Sequence, residues 1–312
     1  MMLYPLLPFF LGTQISNNHI WSHGPEYNFS GTIKMLSFLD ENNGEPLGTI
    51  LRYKLICRPL NHDVLRCYIS ESNITLLKSR NIGDDNNSKK INIVNVPFEI
   101  KFNQRGINSY IVEKTNPPVS LWELNMIRLI GNQLHIGIDL SDEMKNMFRA
   151  QENFTIGVCQ VDFKIKRILS DDDDNETNSL NSNLELVPLI KVGKFSNVSI
   201  EIEKKRNIDD CIRRTESFFG TRYILGIIHR DEQTTLTNSE SKILISKHNF
   251  TSETIDINEL FDSNQNKLGM VMDYMGLTLE TINPATNSLE KFINPISVGI
   301  ISNHIEDYKI EY

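Results

Sequence analysis

The sequence predicts a mainly β protein: a large antiparallel barrel wrapped around one buried central helix at about residues 121–130. Segments of alternating bulky and polar residues, each bounded by turn residues, recur along nearly the whole chain, and this period of two marks strands with one buried face. A single stretch, PPVSLWELNMIRLIG at 117–131, carries helix signals, and it is apolar in almost every direction. Such a helix is enclosed rather than laid on a surface, and the strands are the only enclosure available.

The first sixteen residues, MMLYPLLPFFLGTQIS, hold an apolar run from Leu3 to Leu11. That run has the length of a signal-peptide core and is too short to span a bilayer, so residues 1–16 are read as a cleaved leader, the alternative being a buried N-terminal strand. EYNFSGTIKMLSFLD then alternates, ENNG supplies turn chemistry, and GTILRYKLICR and VLRCYISESNITLL continue a meander. A polar loop follows, and FEIKFNQRGINSYIVEK is a hairpin turning at Gln104, Arg105 and Gly106.

The helix comes next. Ser120 and Glu123 have the spacing of a capping box, Val119 can staple onto Leu124, and Pro117 and Pro118 hold the entering chain extended. Gly131 is expected just past the last turn, in the left-handed conformation that ends many helices. Leu121, Trp122, Leu124, Met126, Ile127, Leu129 and Ile130 cover the circumference, leaving Glu123, Asn125 and Arg128 as its polar residues.

Beyond the helix, FTIGVCQVDFKIKRIL reads as one strand. An acidic insertion at 170–183 cannot bury a core. ELVPLIKVGKFSNVSIEIEKKRN, YILGIIHRD, SKILISKHNF, KLGMVMDYMGLTLETI and PISVGIIS supply the remaining strands. Nothing divides residues 17–312, which are expected to form a single domain.

A chain of 312 residues, 39% hydrophobic and 23% charged, can bury a large core, which excludes disorder of the whole. Its formal charge of −8 argues against a nucleic-acid partner, whose binding needs a basic face. Outside the leader no run approaches the length of a membrane helix, so none is expected in the mature chain. Asn-X-Ser/Thr sequons stand at Asn28, Asn73, Asn86, Asn153, Asn175, Asn197 and Asn249. With the leader, they indicate a secreted, extracellular glycoprotein.

Four cysteines in an oxidising compartment suggest two disulfides, with three possible connectivities. Cys57 and Cys67 flank a plausible hairpin and could face each other, which leaves Cys159 for Cys211; the alternative keeps Cys57 and Cys67 as free buried thiols.

The chemistry of an enzyme is not visible. There is no phosphate-binding loop, nucleophile elbow, zinc-protease or dinucleotide motif. The histidines, His19, His23, His62, His135, His229, His248 and His304, are scattered, and no spacing suggests a metal or a cofactor. Asp171 to Asp174 lack the alternating ligands and glycine of a calcium loop and read as a solvated insertion. Lys204, Lys205, Arg206, Arg213 and Arg214 form a local basic cluster. It is either a docking patch for an acidic receptor module or a solvated strand end.

Several of these stretches together resemble the amino-terminal domain of the vitellogenins and related large lipid transfer proteins. EYNFSGTIKML resembles that family's first strand. PFEIKFNQRGI followed by Trp122, Asn125 and Arg128 resembles its hairpin and W-x-x-N-x-x-R helix. GVCQVDFKI resembles a G-x-C-x-T-x-Y strand, with Asp162 and Phe163 as departures; NIDDC resembles the segment supplying the disulfide partner, and GLTLETI a late barrel strand.

The resemblance implies a barrel about a central helix, a Cys159–Cys211 bridge, a place among lipid-transport and yolk-precursor proteins, and a role in receptor docking. The acidic insertion and the Cys57/Cys67 pair depart from it, and the chain ends where the family continues into a helical horseshoe and lipid-enclosing sheets. A barrel filled by its own helix has little room for lipid. The expected function is therefore a protein- or receptor-binding module without the bulk lipid cavity, its partner a receptor or a lipoprotein. The alternatives are a small carrier of lipid or another hydrophobic ligand, and an innate-immune surface-recognition protein, which has no feature of its own here.

Overall fold

A computed structural model describes residues 2–6, 11–15, 21–39, 46–77, 88–90, 93–94, 96–103, 106–138, 146–155, 157–169, 186–188, 198–212, 233–246 and 249–301. In chain order the strands are β1 (Met2–Leu6), β2 (Leu11–Ile15), β3 (Pro25–Leu39), β4 (Pro46–Pro59), β5 (Val64–Leu77), β6 (Ser88–Lys90), β7 (Phe98–Asn103) and β8 (Gly106–Glu113). The helix α1 (Leu121–Asn132) follows, and then β9 (Met147–Phe154), β10 (Gly157–Leu169), β11 (Leu186–Pro188), β12 (Val198–Ile212), β13 (Gln233–Ile245), β14 (Phe250–Phe261), β15 (Lys267–Pro284) and β16 (Pro295–Val298).

Thirteen strands form one sheet in the order β16-β8-β7-β5-β4-β3-β15-β14-β13-β12-β10-β9, with β6 beside β5; β1, β2 and β11 form a separate three-stranded sheet. Every pairing is antiparallel, and β15 returns to lie against β3 along nearly its full length. The mainly antiparallel β class and the central helix are thus present, but the sheet is not closed. Its end strands, β16 and β9, make no ladder with each other among the described residues.

The sheet nevertheless curls around α1. Tyr110 on β8 donates its hydroxyl to Arg128 O at 3.3 Å, Gln133 meets Ser252 and Thr254 on β14, and Lys204 on β12 reaches His135 O at 2.7 Å. β8 stands second in the strand order, β14 eighth and β12 tenth, so a short segment can touch all three only if the sheet bends round it. The period of two then sorts side chains to the inside. Tyr27, Phe29, Ile33 and Met35 of β3, Leu51, Leu55 and Cys57 of β4, and Val161, Phe163 and Ile165 of β10 join Leu124, Met126, Ile127, Leu129 and Ile130 of the helix in one core.

The helix starts as its sequence dictates. Ser120 Oγ accepts from Glu123 N at 3.2 Å, and Glu123 Oε2 accepts from Ser120 N at 3.1 Å, which satisfies two free donors reciprocally. Its end differs from expectation. Gly131 lies inside the last turn, the helix runs to Asn132, and the cap is Gln133 in ordinary right-handed geometry. Glycine serves there because the Tyr110 ring occupies the space of a side chain: a Cβ on Gly131 would lie 2.5 Å from it.

Two further expectations change. Residues 154–169 are not one strand, since β9 ends at Phe154 and β10 begins at Gly157, making a hairpin whose first arm is MFRAQENF. The first turn, with Leu121, Trp122 and Glu123, is only half-buried, whereas residues 124–138 are buried without interruption.

Candidate functional site

Along β12 the inward phase runs Ile200, Ile202, Lys204, Arg206, Ile208. Two cations therefore point into the fold. Their partner is Glu152, on the inward phase of β9 next to Phe154, and its carboxylate is fully buried. Lys204 Nζ lies 2.5 Å from Glu152 Oε1, and Arg206 Nε donates to Glu152 Oε2 at 3.1 Å. Lys204 also donates to the carbonyls of His135 and Ile136 at 2.7 and 3.2 Å. Arg206 also donates to Ser239 and Ser241 at 3.1 and 2.9 Å and stacks on the Phe154 ring, 3.9 Å from its centre.

The segment leaving α1 completes the cluster. His135 Nδ1 accepts from Ile107 N at 2.9 Å, which leaves its proton on Nε2, 3.6 Å from Glu152 Oε1. That separation is too long for a hydrogen bond. Burial lowers the imidazole pKa to about 3, against the opposing pull of Glu152, so the ring is neutral and the contact is not an ion pair. Burial alone would push the Glu152 carboxyl up, but Arg206 and Lys204 outweigh it and hold it at about 2. Burial lowers Lys204 to about 8, opposed by Glu152.

Gly137 makes room for the carboxylate. Its φ is +91°, and a Cβ there would lie 2.6 Å from Glu152 Oε1. Gln133 extends the network through Thr254 at 3.2 Å, and Thr254 meets Ser241 at 2.8 Å. With both its oxygens held by cations, Glu152 is not available as a base. The arrangement is a clamp that ties edge strand β9 and strand β12 to the helix exit.

The basic cluster anticipated at 204–214 is therefore not one patch. Lys204 and Arg206 are 2% and 4% exposed, while Lys205, on the opposite phase, faces solvent and pairs with Glu240 at 3.3 Å. Alternation along a strand separates neighbours in sequence. Arg213 and Arg214 lie outside the described residues, as do the acidic run Asp171–Asp174 and the sequons Asn86, Asn175 and Asn197.

Beyond Lys205 and Glu240 the ladder between β12 and β13 stops, although both strands continue. The two diverge around a groove of about 490 Å³ lined by Asp162, Lys205, Asn207, Asp209, Thr235 and Thr237, among others. This mixed polar groove is the candidate contact site on the outer surface.

The helix motif has a different task. Arg128 Nη1 donates to Asn125 Oδ1 at 2.8 Å and Arg128 Nε to Gly299 O at 3.0 Å, so these buried side chains pin the chain that follows β16. Trp122 is half-buried and packs against the core. Cys57 is bonded to Cys67 across β4 and β5, and Cys159 to Cys211 across β10 and β12. Among the described sequons, Asn73 and Asn153 are exposed and Asn249 half-buried, whereas the amide nitrogen of Asn28 is buried.

Glu152, His135, Gln133 and Gly137 had no motif to announce them. A signal did exist in the phase of β12, where an apolar series turns basic without leaving the inward register, and an inward cation demands an inward carboxylate.

Comparison with known proteins gives one consistent answer. The model of the family described as the vitellogenin N-terminal domain matches residues 21–287. Vitellogenin-1 of Solenopsis invicta is 21% identical over 309 residues, an alignment covering 90% of this chain and 18% of that protein. A solved structure titled for lipid–protein interactions in lipovitellin superposes with a TM-score of 0.60 at 15% identity, covering 91% of this chain and 28% of the other. The chain thus spans well under a third of either relative.

Proposed function

Since the chain belongs to the vitellogenin N-terminal domain family, we propose that it is a secreted member of this lipid-transport and yolk-precursor family, acting as a protein- or receptor-binding module through its outer surface. One observation carries this reading: residues 124–138 are buried throughout and occupy the concave side of the sheet, where a carried lipid would otherwise lie. Contact is left to the outside. The groove between β12 and β13, with Lys205 at its edge, offers charged and hydroxyl side chains of the kind that read a polar protein surface.

Secretion rests on the leader and the sequons. Removing residues 1–16 takes away β1 and β2, which pair only with each other and with β11 among the described residues, and leaves the thirteen-stranded sheet intact. The partner is a receptor or a lipoprotein.

The test is binding of the labelled domain to egg-membrane preparations from the source organism. Saturable binding that unlabelled domain competes away, and that prior protease treatment of the membranes abolishes, is the expected result. Binding that is non-saturable or survives the protease contradicts a protein receptor.

A further inference from the structure

The thirteen-stranded sheet has two ends, and they are finished differently. β16 is four residues long and opens with Pro295. A short strand carrying proline is a poor template for a further strand. β9 is eight residues long, MFRAQENF, with neither proline nor lysine. It pairs with β10 from Phe154 opposite Gly157 to Met147 opposite Lys164, and no described strand lies against its other edge. Its inward charge, Glu152, is neutralised by Lys204 and Arg206 and does not repel an incoming strand. The N–H and C=O groups along such an edge can pair with another chain.

What β9 does carry is an acceptor sequon, Asn153-Phe154-Thr155, at the turn into β10. Asn153 is exposed, on the same outward phase as Arg149 and Gln151. The hydroxyl of Thr155 is buried and finds no hydrogen-bond partner among the described residues. A buried hydroxyl left unpaired is a net cost to the fold. Local hydrogen bonding therefore does not account for threonine there, whereas the sequon requires a hydroxyl two residues after the asparagine. The sequon at Asn28 is the reverse case. Its Ser30 donates to Glu280 at 2.5 Å, and the Asn28 amide nitrogen, the atom that would bear a sugar, is buried on a strand flanked by both β15 and β4.

We propose that Asn153 carries an N-linked glycan and that this glycan shields the open edge of β9. The new bond joins Asn153 Nδ2 to the anomeric carbon of an oligosaccharide delivered as a lipid pyrophosphate conjugate. The bond from that carbon to the pyrophosphate oxygen breaks, the amide gives up one proton, and the lipid pyrophosphate leaves. This transfer belongs to the secretory pathway, so the proposal rests on the secretion reading above. A described strand flanks Asn153 on one side only, where it faces Val158 of β10. A bulky, solvated chain attached there reaches across the edge that a second strand would have to approach. Asn28, its amide enclosed, stays unmodified.

The experiment is expression of the full chain in cultured mammalian cells. Protein from the medium is treated, in heavy-oxygen water, with an amidase that removes N-glycans, which leaves each modified asparagine as labelled aspartate for mass-spectrometric mapping. Label at Asn153 and none at Asn28 is the expected result. Size-exclusion chromatography with light scattering then reads association. The native protein stays monomeric, whereas Asn153→Gln and Thr155→Ala, which abolish one sequon at two different residues, rise to about twice the monomer mass or more as concentration increases. Thr155→Ser keeps the sequon and should keep both sugar and monomer. Asn73→Gln, on a strand paired there by both β4 and β6, should not associate. Removing the glycan from the folded native protein gives the same association with no substitution, and unchanged thermal unfolding shows that the variants remain folded. Secreted protein unlabelled at Asn153, or sugar-free protein that stays monomeric, overturns the proposal. A chain kept inside the cell with no sugar at any site overturns the secretion reading and this proposal together, so the medium tells the two failures apart.

Discussion

The part of the sheet made by β9, β10, β12 and β13 carries charges on both faces, the buried ones on β9 and β12 alone, and the two faces differ in almost every physical respect. Inside, Glu152, Lys204 and Arg206 are sealed against the helix exit. Outside, Arg149 pairs with Asp162 at 2.7 Å, Lys166 with Glu201 and Glu203, Lys164 with Glu203, and Lys242 with Glu201, all across neighbouring strands. The residue types are the same, and positions 203 to 206 alternate between the two sets. Water decides their energetics. An exposed pair exchanges hydration for a screened attraction and nets about 0–1 kcal/mol, whereas a buried pair has already lost its hydration, so that removing one partner strands the other.

The sharpest way to break this contrast is Glu152→Gln, which leaves Lys204 and Arg206 buried without a counter-charge. Urea unfolding should show a loss of about 3–5 kcal/mol; a loss below about 1 would mean that the cluster is hydrated. Next in size is Gly137→Ala, which places a methyl group against the Glu152 carboxylate at a positive φ. It should cost about 1–3 kcal/mol in the same urea unfolding.

A pH effect follows. His135 is held at about 3 in the folded state against 6.5 unfolded. Between those values the unfolded chain binds the extra proton, so stability falls as the pH drops from about 6.5 toward 3. Glu152, at about 2 against 4.5, adds to the loss from about 4.5 downward. His135→Asn keeps an acceptor for Ile107 N and should flatten the upper part of that window, as measured by thermal unfolding at successive pH values; an unchanged slope above pH 5 removes His135 from the account. The smallest effect is expected outside, where Glu203→Gln should change stability by less than about 1 kcal/mol and by less still at high salt.

Much of this was legible in the sequence, and what was not has identifiable causes. Ser120 and Glu123 announced the helix start because a capping box is a local device, complete within four residues. Gly131 misled, because a glycine after an apolar run usually ends a helix, whereas here the reason for glycine is the Tyr110 ring on another element. Strand β9 escaped notice because Glu152 stands where its alternation calls for an apolar residue, and the compensation lies on β12, some fifty residues later in the chain. The same long-range pairing turned Lys204 and Arg206 from apparent surface cations into core residues. PISVGIIS reads as one more strand, whereas β16 ends at Val298, and only its pairing with β8 shows that the loop before it is braced by Glu113.

The central claim is that the fold is filled by its own helix and acts from its outside. Native mass spectrometry of the purified, deglycosylated protein, followed by lipid extraction, addresses it most directly. The account expects the mass of the polypeptide alone and no lipid in stoichiometric amount, whereas one or more tightly held lipid molecules per chain would contradict it.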